Sequence, residues 1–309
     1  MPARPKILLA LLPMLAATAA AAQERVAPGQ FVAWTQKDGP KTIAVGGTQA
    51  TISAAPCDKG GDVGEDCYRA KVAMTVAGKP PVTLFGEPGI AYRVAIGRLG
   101  AGDSGASVVL QSFTGGAHCC DVFTIAEPVG DGVQVVPVTW QPKGESEPRA
   151  LFDFGDIPFP ADLNGDGRAD IVLRDDRFLY AFESYAGSMA PPIVLSITGG
   201  TVEDITGDPR LAPVFEDAMR RAEAICTDRS AFGRNGACAA YVADAARLGR
   251  FDAAWRVMMR VYDRHSPWPL DFCLADYVDG KCPEGSHKIY HDFPTALRAF
   301  LIRTGYIAG

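Results

Sequence analysis

Short runs of β-branched and aromatic residues recur between about residues 31 and 201. Five of these runs are residues 92–96, 107–110, 122–125, 133–136 and 171–173. Clusters of Gly, Pro, Asp and Asn separate the runs, which is the pattern of strands joined by tight turns. The first part of the chain is therefore predicted to be all-β and built from hairpins.

The hydrophobic pattern changes after residue 208, where apolar residues fall three and four positions apart. This spacing predicts helices at residues 213–227, 238–248, 251–263 and 295–302. Pro294 suits a first helical turn, and Gly249 is placed to separate the second and third helices. The predicted fold class is α+β in two domains, with an all-β domain at residues 23–207 and a smaller, disulfide-tied helical domain at residues 208–309.

The N-terminal residues 1–22 have the composition of a signal peptide. Two basic residues precede an uncharged run that is rich in Leu and Ala, and three alanines precede Gln23, a small-residue site of the kind that signal peptidase cuts. The uncharged run, residues 7–22, is shorter than the roughly 20 residues of a membrane span. An uncleaved N-terminal anchor is the alternative. We expect a soluble mature chain without a transmembrane segment, either periplasmic or secreted.

The charge of the chain argues against one class of partner. Formal net charge is -6, and removing residues 1–22, with Arg4 and Lys6, makes it about -8. Nucleic-acid binding is dominated by basic contacts to phosphate, so nucleic acid is not an expected partner. The expected partner is an envelope or extracellular protein or glycan.

All eight cysteines lie after the predicted signal peptide. In an oxidising compartment disulfides are the default, and each would stabilise the fold by roughly 2–4 kcal/mol. The spacing favours three local bridges, Cys57 with Cys67, Cys226 with Cys238, and Cys273 with Cys282.

Cys119 and Cys120 are left as adjacent residues. Their Cα atoms are about 3.8 Å apart across a trans peptide, below the usual disulfide range of about 4.4–6.8 Å. A bond between them would require an unusual turn, which the preceding Gly115 and Gly116 suit. The alternative is that one or both pair with a distant cysteine.

Residues 162–170 form the most informative segment of the chain. Oxygen-bearing side chains occupy alternate positions, at Asp162, Asn164, Asp166 and Asp170, and Gly167 permits a sharp bend. Calcium takes 6–8 oxygen ligands, which alternate positions of a tight loop can supply. An EF-hand is disfavoured because its bidentate Glu at position 12 is replaced by Leu173.

This loop, followed directly by a hydrophobic strand, resembles the calcium loop of FG-GAP repeats. Such repeats occur in integrin α-chain propellers and in bacterial VCBS-type secreted proteins. The resemblance implies a calcium ion held by the side chains of Asp162, Asn164, Asp166 and Asp170 and by the carbonyl of Arg168. The alternative is an Asx-rich turn that binds no metal.

A fainter copy of the loop lies at residues 97–105, before the predicted strand at 107–110. Val109 and Val172 are 63 residues apart, near the length of one blade in the family. The copy keeps only Asp103 as a carboxylate, so no metal is expected there. Because a propeller needs at least four blades and the β region has room for three, an abridged or differently closed β domain is expected.

Two functions of different classes follow from these observations. The first is a non-catalytic binding protein of the cell envelope or exterior, stiffened by calcium and disulfides. The second is an envelope hydrolase with its site between the two domains, where pockets often form. Its candidate residues are His265, Asp271, His287, His291 and Asp292.

Two acid pairs, Asp175 with Asp176 and Glu145 with Glu147, are the obvious carboxylates for hydrolytic chemistry. Nothing in the sequence gives them the separation that a glycosidase uses. We therefore expect them to be solvated or to cap turns.

Overall fold

The structure is a computed structural model that describes residues 23–57, 67–102, 105–116, 120–152, 155, 157–275, 277–278 and 280–309. Its β-strands are β1 (Gln23–Arg25), β2 (Val32–Trp34), β3 (Lys41–Val45), β4 (Thr48–Pro56), β5 (Tyr68–Val76), β6 (Val82–Phe85), β7 (Ala91–Gly97), β8 (Ser107–Phe113), β9 (Asp121–Val129), β10 (Gly132–Pro137), β11 (Ala169–Arg174), β12 (Pro192–Thr198), β13 (Thr201–Asp204), β14 (Asp271–Cys273) and β15 (His287–Ile289). Its α-helices are α1 (Ala212–Thr227), α2 (Arg234–Arg247), α3 (Phe251–Val261) and α4 (Phe293–Arg303).

The β region forms three sheets. The first has the strand order β1-β3-β4-β5-β6, the second β10-β9-β8-β7-β2, and the third β11-β12-β13. Apart from the parallel pair of β1 with β3, neighbouring strands are antiparallel. The main part of each sheet is thus a meander of strands that follow one another in the chain, as hairpin-forming turns predict.

The first and second sheets pack face to face. Their shared core contains Trp34, Ile43, Met74, Leu84, Tyr92 and Leu110, each no more than 1% exposed. On β5 buried and exposed residues alternate, which is the pattern of a strand with one face in a core.

The second sheet is buried on its other face as well. Val109, Phe123 and Ile125 pack there against residues of the third sheet, including Ile171 and Leu195. Strand β8 therefore lies between two cores, which explains why its burial is continuous rather than alternating and why Val108, Val109 and Leu110 are consecutive apolar residues. No closed barrel or propeller is formed by the parts of the chain that the structure describes.

The third sheet connects the β region to the helices. Val194 of β12 packs against Leu211 and Phe215, so α1 covers the face of the third sheet that is turned away from the second. The layers therefore follow one another in chain order, with three sheets and then the helices.

The helical core also includes residues from the β region. Phe178 and Phe182, from the connection between β11 and β12, are each 1% exposed within it. Their rings lie 4.9 and 5.2 Å from the ring of Phe300 in α4, in edge-to-face geometry, which is a favourable arrangement for aromatic pairs. The helices thus depend on side chains that precede residue 208.

The N-terminal clasp, residues 23–34, joins the first two sheets at their edges. β1 adds to the first sheet beside β3, and β2 adds to the second sheet beside β7. One short segment therefore supplies an edge strand to each sheet.

The four predicted helices and the five quoted strand runs are confirmed. The short hairpin of β14 and β15 was not predicted. It lies within the helical part, and a disulfide joins Cys273 at the end of β14 to Cys282 in the connection between the two strands.

Candidate calcium centre

The loop before β11 is organised around the carboxylate of Asp162. Its Oδ1 accepts the backbone N–H groups of Gly165 and Asp166 at 2.7 and 3.1 Å, and its Oδ2 accepts that of Gly167 at 2.9 Å. The N–H of Gly167 is the main cause that holds the pKa of Asp162 below its usual value. Gly165 and Gly167 have φ values of 78° and 84°, a left-handed conformation that glycine adopts without strain.

The next polar side chains of the loop also accept local backbone hydrogen bonds. Asn164 Oδ1 accepts the N–H of Asp166 at 3.1 Å, and Asp166 Oδ1 accepts the N–H of Arg168 at 2.9 Å. The Arg168 guanidinium lies outside the loop, 3.3 Å from Glu203. This position leaves the interior of the loop to oxygen atoms.

Asp170 lies at the start of β11 and is 2% exposed. Its Oδ2 accepts the N–H of Leu163 at 2.9 Å, whereas its Oδ1 is buried and makes no hydrogen bond of ordinary geometry among the described residues. Burial raises the pKa of this carboxyl, whereas the side chain of Ser196, its neighbour on β12, lies close enough to lower that pKa in part. A buried acceptor without a well-formed hydrogen bond is costly, so Asp170 Oδ1 is the atom of this loop that most needs a donor or a cation.

Asp208 joins the loop to the start of the helical part, a contact that the sequence analysis missed. Its Oδ2 accepts from Asn164 Nδ2 at 3.0 Å and pairs with Arg210 at 2.6 Å. The hydrogen bond from Arg210 lowers the pKa of Asp208 to about 2. Arg210 also lies 3.8 Å from Asp166 Oδ2, so a guanidinium lies next to the loop.

The donor chemistry of the loop fits calcium. A carboxylate has about four lone-pair sites, so the hydrogen bonds of Asp162, Asp166 and Asp170 leave each of them at least one accepting position. Within the described residues, however, no group of three or more His, Cys, Asp or Glu side chains is close enough to hold a metal ion. The carboxylates would therefore have to come closer together around an ion.

The fainter loop copy contacts the candidate calcium loop directly. Gly100 forms an isolated antiparallel bridge with Arg168, and the N–H of Ala101 lies 3.4 Å from the carbonyl oxygen of Gly167. Asp103, its predicted carboxylate, lies outside the described residues.

The three local disulfides have the predicted pairing, Cys57–Cys67, Cys226–Cys238 and Cys273–Cys282. They link β4 to β5, α1 to α2, and the two ends of the segment that follows β14. Cys119 lies outside the described residues, so the proposed pairing of Cys119 with Cys120 stays a prediction.

The candidate hydrolase residues do not form a metal-binding group among the described residues. His287 Nδ1 lies 3.1 Å from Asp271 Oδ1 on the exposed β14–β15 hairpin. His291 and Asp292 line a separate cavity of about 100 Å³, where Asp292 accepts the N–H of Thr295 and caps α4. His265 is exposed.

The two acids of the pair Asp175–Asp176 lie in different environments, since Asp175 is buried and Asp176 is partly exposed. Asp175 is fully buried and pairs with Arg177 at 2.7 Å, while Asp176 pairs with Arg149. Burial raises the pKa of Asp176 to about 6. Asp175 also caps a short 3₁₀ turn, so the expectation of a capping role is confirmed for this residue.

Glu145 pairs with Arg149 at 2.6 Å, so it belongs to the same network as Asp176. Glu147 is exposed. The two members of the second acid pair therefore lie in different environments.

No α-helix in the described part of the chain is long and apolar enough to cross a membrane.

Residues 215–305 match a protein family described as "sll0997 C-terminal domain". The matched span runs from α1 to just past the end of α4. No solved structure matches the chain.

Two curated proteins are similar to a larger part of the chain. The "Probable thylakoid lumen protein sll0997" of Synechocystis sp. is 37% identical over 210 residues, which cover 65% of this chain and 56% of that protein. The "Uncharacterized protein y4bJ" of Sinorhizobium fredii is 32% identical over 201 residues, which cover 65% of this chain and 30% of that protein. The chain thus spans less than two thirds of either relative.

Proposed function

We propose that this is an exported, non-catalytic binding protein whose β region is stabilised by one calcium ion at residues 162–170. The observation that carries the calcium proposal is the buried Oδ1 of Asp170, which makes no hydrogen bond of ordinary geometry among the described residues. A cation in the loop would satisfy this atom. The remaining accepting positions of Asp162 and Asp166 and the all-oxygen donor set support calcium rather than a softer metal.

Export is supported by two independent features. The three disulfides favour an oxidising compartment, and residues 1–22 have the composition of a signal peptide. One relative is named a probable thylakoid lumen protein. By analogy, we propose that this chain works outside the cytoplasm, in a bacterial periplasm or beyond it.

We further propose that the β region is an abridged FG-GAP-like architecture. Two features support this proposal: the meandering sheets are stacked face to face, and the two related loops contact each other through Gly100 and Arg168. In this proposal the calcium ion stiffens the junction of the second and third sheets. The binding face then lies in the helical part, where several large apolar side chains of the β14–β15 hairpin are exposed, among them Leu274, Tyr277, Val278 and Ile289.

Thermal melting of the oxidised protein with calcium and with chelator tests the calcium proposal. A ligand at 100 times its Kd stabilises by about 2.7 kcal/mol, so we expect saturating calcium to raise the midpoint by about 5–10 °C. Asp166→Ala should abolish the shift. Asp131→Ala, which removes an exposed acid from the β9–β10 turn, should keep it.

Equal midpoints with calcium and chelator, together with no calcium by elemental analysis, would refute the proposal. The loop would then be an Asx-rich turn without metal.

A further inference from the structure

A cavity of about 460 Å³ lies between the end of α4, the β14–β15 hairpin and two loops of the β region, residues 143–149 and 177–181. Its apolar wall contains Leu179, Phe272, Leu274, Tyr277 and Phe300. Pockets for small organic ligands have volumes of about 300–1,000 Å³ and are mostly apolar with a few polar groups. The cavity has the size of such a pocket, and polar and apolar groups contribute about equally to its wall.

Four cationic side chains line the cavity, and two of them are neutralised within the fold. Arg177 makes a two-pronged ion pair with Asp175, with Nε–Oδ1 and Nη2–Oδ2 distances of 2.8 and 2.7 Å. Arg149 pairs with both Glu145 and Asp176. These two arginines form part of the polar wall of the cavity. Because carboxylates neutralise their charge, they would attract an anionic ligand only weakly.

Arg303 is the third cation, and no carboxylate of the described residues pairs with it. Its Nη1 donates one hydrogen bond to the carbonyl oxygen of Cys273 at 2.8 Å. Its guanidinium carbon lies 5.8 and 5.9 Å from the ring centres of Phe300 and Phe272. A guanidinium has five N–H donors, and the other four make no hydrogen bond to the described residues. The group is partly desolvated, a setting in which charge-assisted hydrogen bonds are strong.

Lys143 is the fourth cation, and its ammonium forms no ion pair among the described residues. Its aliphatic stem packs closely on Gly305, because a Cβ at that glycine would lie 2.3 Å from Lys143 Cδ. Gly305 lies just past the C-terminal end of α4, so this packing places the stem of the exposed Lys143 beside that end of the helix. Arg303 and Lys143 thus both line the cavity without an ion pair among the described residues. The acids that share the lining, Glu145 and Asp271, face Arg149 and His287.

We propose that this cavity binds a small organic anion with an apolar body. The acidic group of the ligand is held by Arg303 and Lys143, and its apolar body contacts Phe272 and Phe300. The proposal rests on the proposed binding role and gives it a ligand class, but it is independent of calcium, because different residues carry it.

A purely structural role for Arg303, bracing the Cys273 carbonyl, is the alternative that the test must separate. The probes are 1-naphthoate, 1-naphthyl phosphate and the neutral 1-naphthalenemethanol, each titrated into the full mature protein and followed by calorimetry or protein NMR. We expect at least one anion to bind at least tenfold more tightly than the neutral alcohol. The tighter of the two anions identifies the head group as carboxylate or phosphate.

Three methionine substitutions locate the site. Arg303→Met and Lys143→Met should each weaken binding of the anion at least fivefold. Arg298→Met is the matched control, since Arg298 lies on the exposed face of the same helix and its loss should leave the affinity unchanged. If Arg303→Met does not fold, Lys143→Met alone tests the proposal. This variant should fold, because the ammonium of Lys143 makes no ion pair among the described residues.

Three results would overturn the proposal. They are no binding of either anion at millimolar concentration, equal binding of the neutral alcohol, and undiminished affinity in a folded Arg303→Met or Lys143→Met variant. If no anion binds but calcium raises the melting midpoint, the anion proposal is wrong and the calcium proposal is unaffected. If an anion binds but calcium does not change the midpoint, the calcium proposal is wrong and the anion proposal is unaffected.

Discussion

At the residue scale, the carboxylates of this protein lie in contrasting environments. Hydrogen bonding from Arg210 lowers the pKa of Asp208 to about 2, whereas burial raises that of Asp176 to about 6 and that of Asp244 to about 7. Asp244 lies on α2 with a side chain 1% exposed, 3.8 Å from Arg247, and its Oδ1 accepts no hydrogen bond among the described residues. Of these three carboxyl groups, Asp244 has the pKa that lies furthest above its usual value.

The raised pKa of Asp244 predicts that the folded protein loses stability as pH rises. The unfolded chain releases this proton near pH 3.8, whereas the folded chain keeps it to about pH 7. The folded state therefore binds more protons between these values, and its stability decreases across that window. At about 1.4 kcal/mol per pKa unit, the loss reaches up to about 4 kcal/mol.

The measurement is urea unfolding of the wild type and of Asp244→Asn between pH 4 and pH 8. The variant should lose less stability across the window, with a remaining slope from Asp176. Asp131→Asn, at an exposed turn, should keep the wild-type slope. Parallel curves for the wild type and Asp244→Asn would contradict the prediction.

Sequence reasoning located single acids but not their partners. The pair Asp175–Asp176 was visible in the sequence, whereas Arg149, the partner of Asp176, lies 27 residues away. The link from Asn164 to Asp208 spans 44 residues. Burial of these groups depends on contacts between distant segments, which no local pattern contains. The cavity around Arg303 was missed for the same reason.

At the element scale, helix α2 packs unusually closely against the loop that precedes β12. A Cβ at Gly236 would lie 2.3 Å from the carbonyl oxygen of Gly187 and 3.0 Å from the Cα of Ser188. These atoms are backbone, so they cannot move aside as a side-chain tip can. Glycine at position 236 lets the helix approach this loop.

We therefore expect Gly236→Ala to destabilise the protein although alanine is the better helix former. The helical preference contributes about 1 kcal/mol, whereas overpacking costs about 1–3 kcal/mol or more. Denaturant unfolding should show a net loss of about 1–2 kcal/mol. Gly207→Ala, where no heavy atom lies within 4 Å, should change stability little. If Gly236→Ala were more stable than the wild type, the prediction would be wrong, and the loop around Gly187 would have to be able to move away from the helix.

The same packing explains why α2 was only partly predicted. Its predicted start was Cys238, whereas the helix begins at Arg234. Asn235 and Gly236 have low helical preference. Tertiary contacts nevertheless stabilise the helical conformation of these residues. By contrast, α1 has a clear apolar face and was predicted to within one residue, residues 213–227 against Ala212–Thr227. The strands of the β14–β15 hairpin are three residues long, which is too short for alternation of apolar and polar residues to be recognised in the sequence.

At the scale of the whole molecule, the helical part shares its core with the β region. Phe178 and Phe182 both precede the predicted domain boundary near residue 208, yet both are buried among the helices. A fragment of residues 208–309 would lack these two rings, and its core would contain cavities in their place. Losing one buried Phe side chain typically costs 3–5 kcal/mol, a large share of the stability of a domain.

We expect the fragment 208–309 to show no cooperative thermal transition by circular dichroism under conditions in which residues 23–309 melt sharply. In the intact chain, Phe182→Ala should lower the midpoint substantially. Phe232→Ala, at a side chain that is 70% exposed, is the control and should leave it unchanged. A sharp transition of the isolated fragment would show that the helices bury a sufficient core alone.

The N-terminal clasp bears on how proteins of this architecture vary in length. Repeat proteins commonly gain or lose whole units, because each unit contacts only its neighbours. In the proposed repeat architecture each sheet is one unit. The segment before the first meander supplies β2 to the second sheet, so deleting the first sheet together with this segment would also remove an edge strand from the second sheet. We therefore expect natural relatives to differ in unit number beyond the third sheet or outside the clasp, and to keep the first two sheets together.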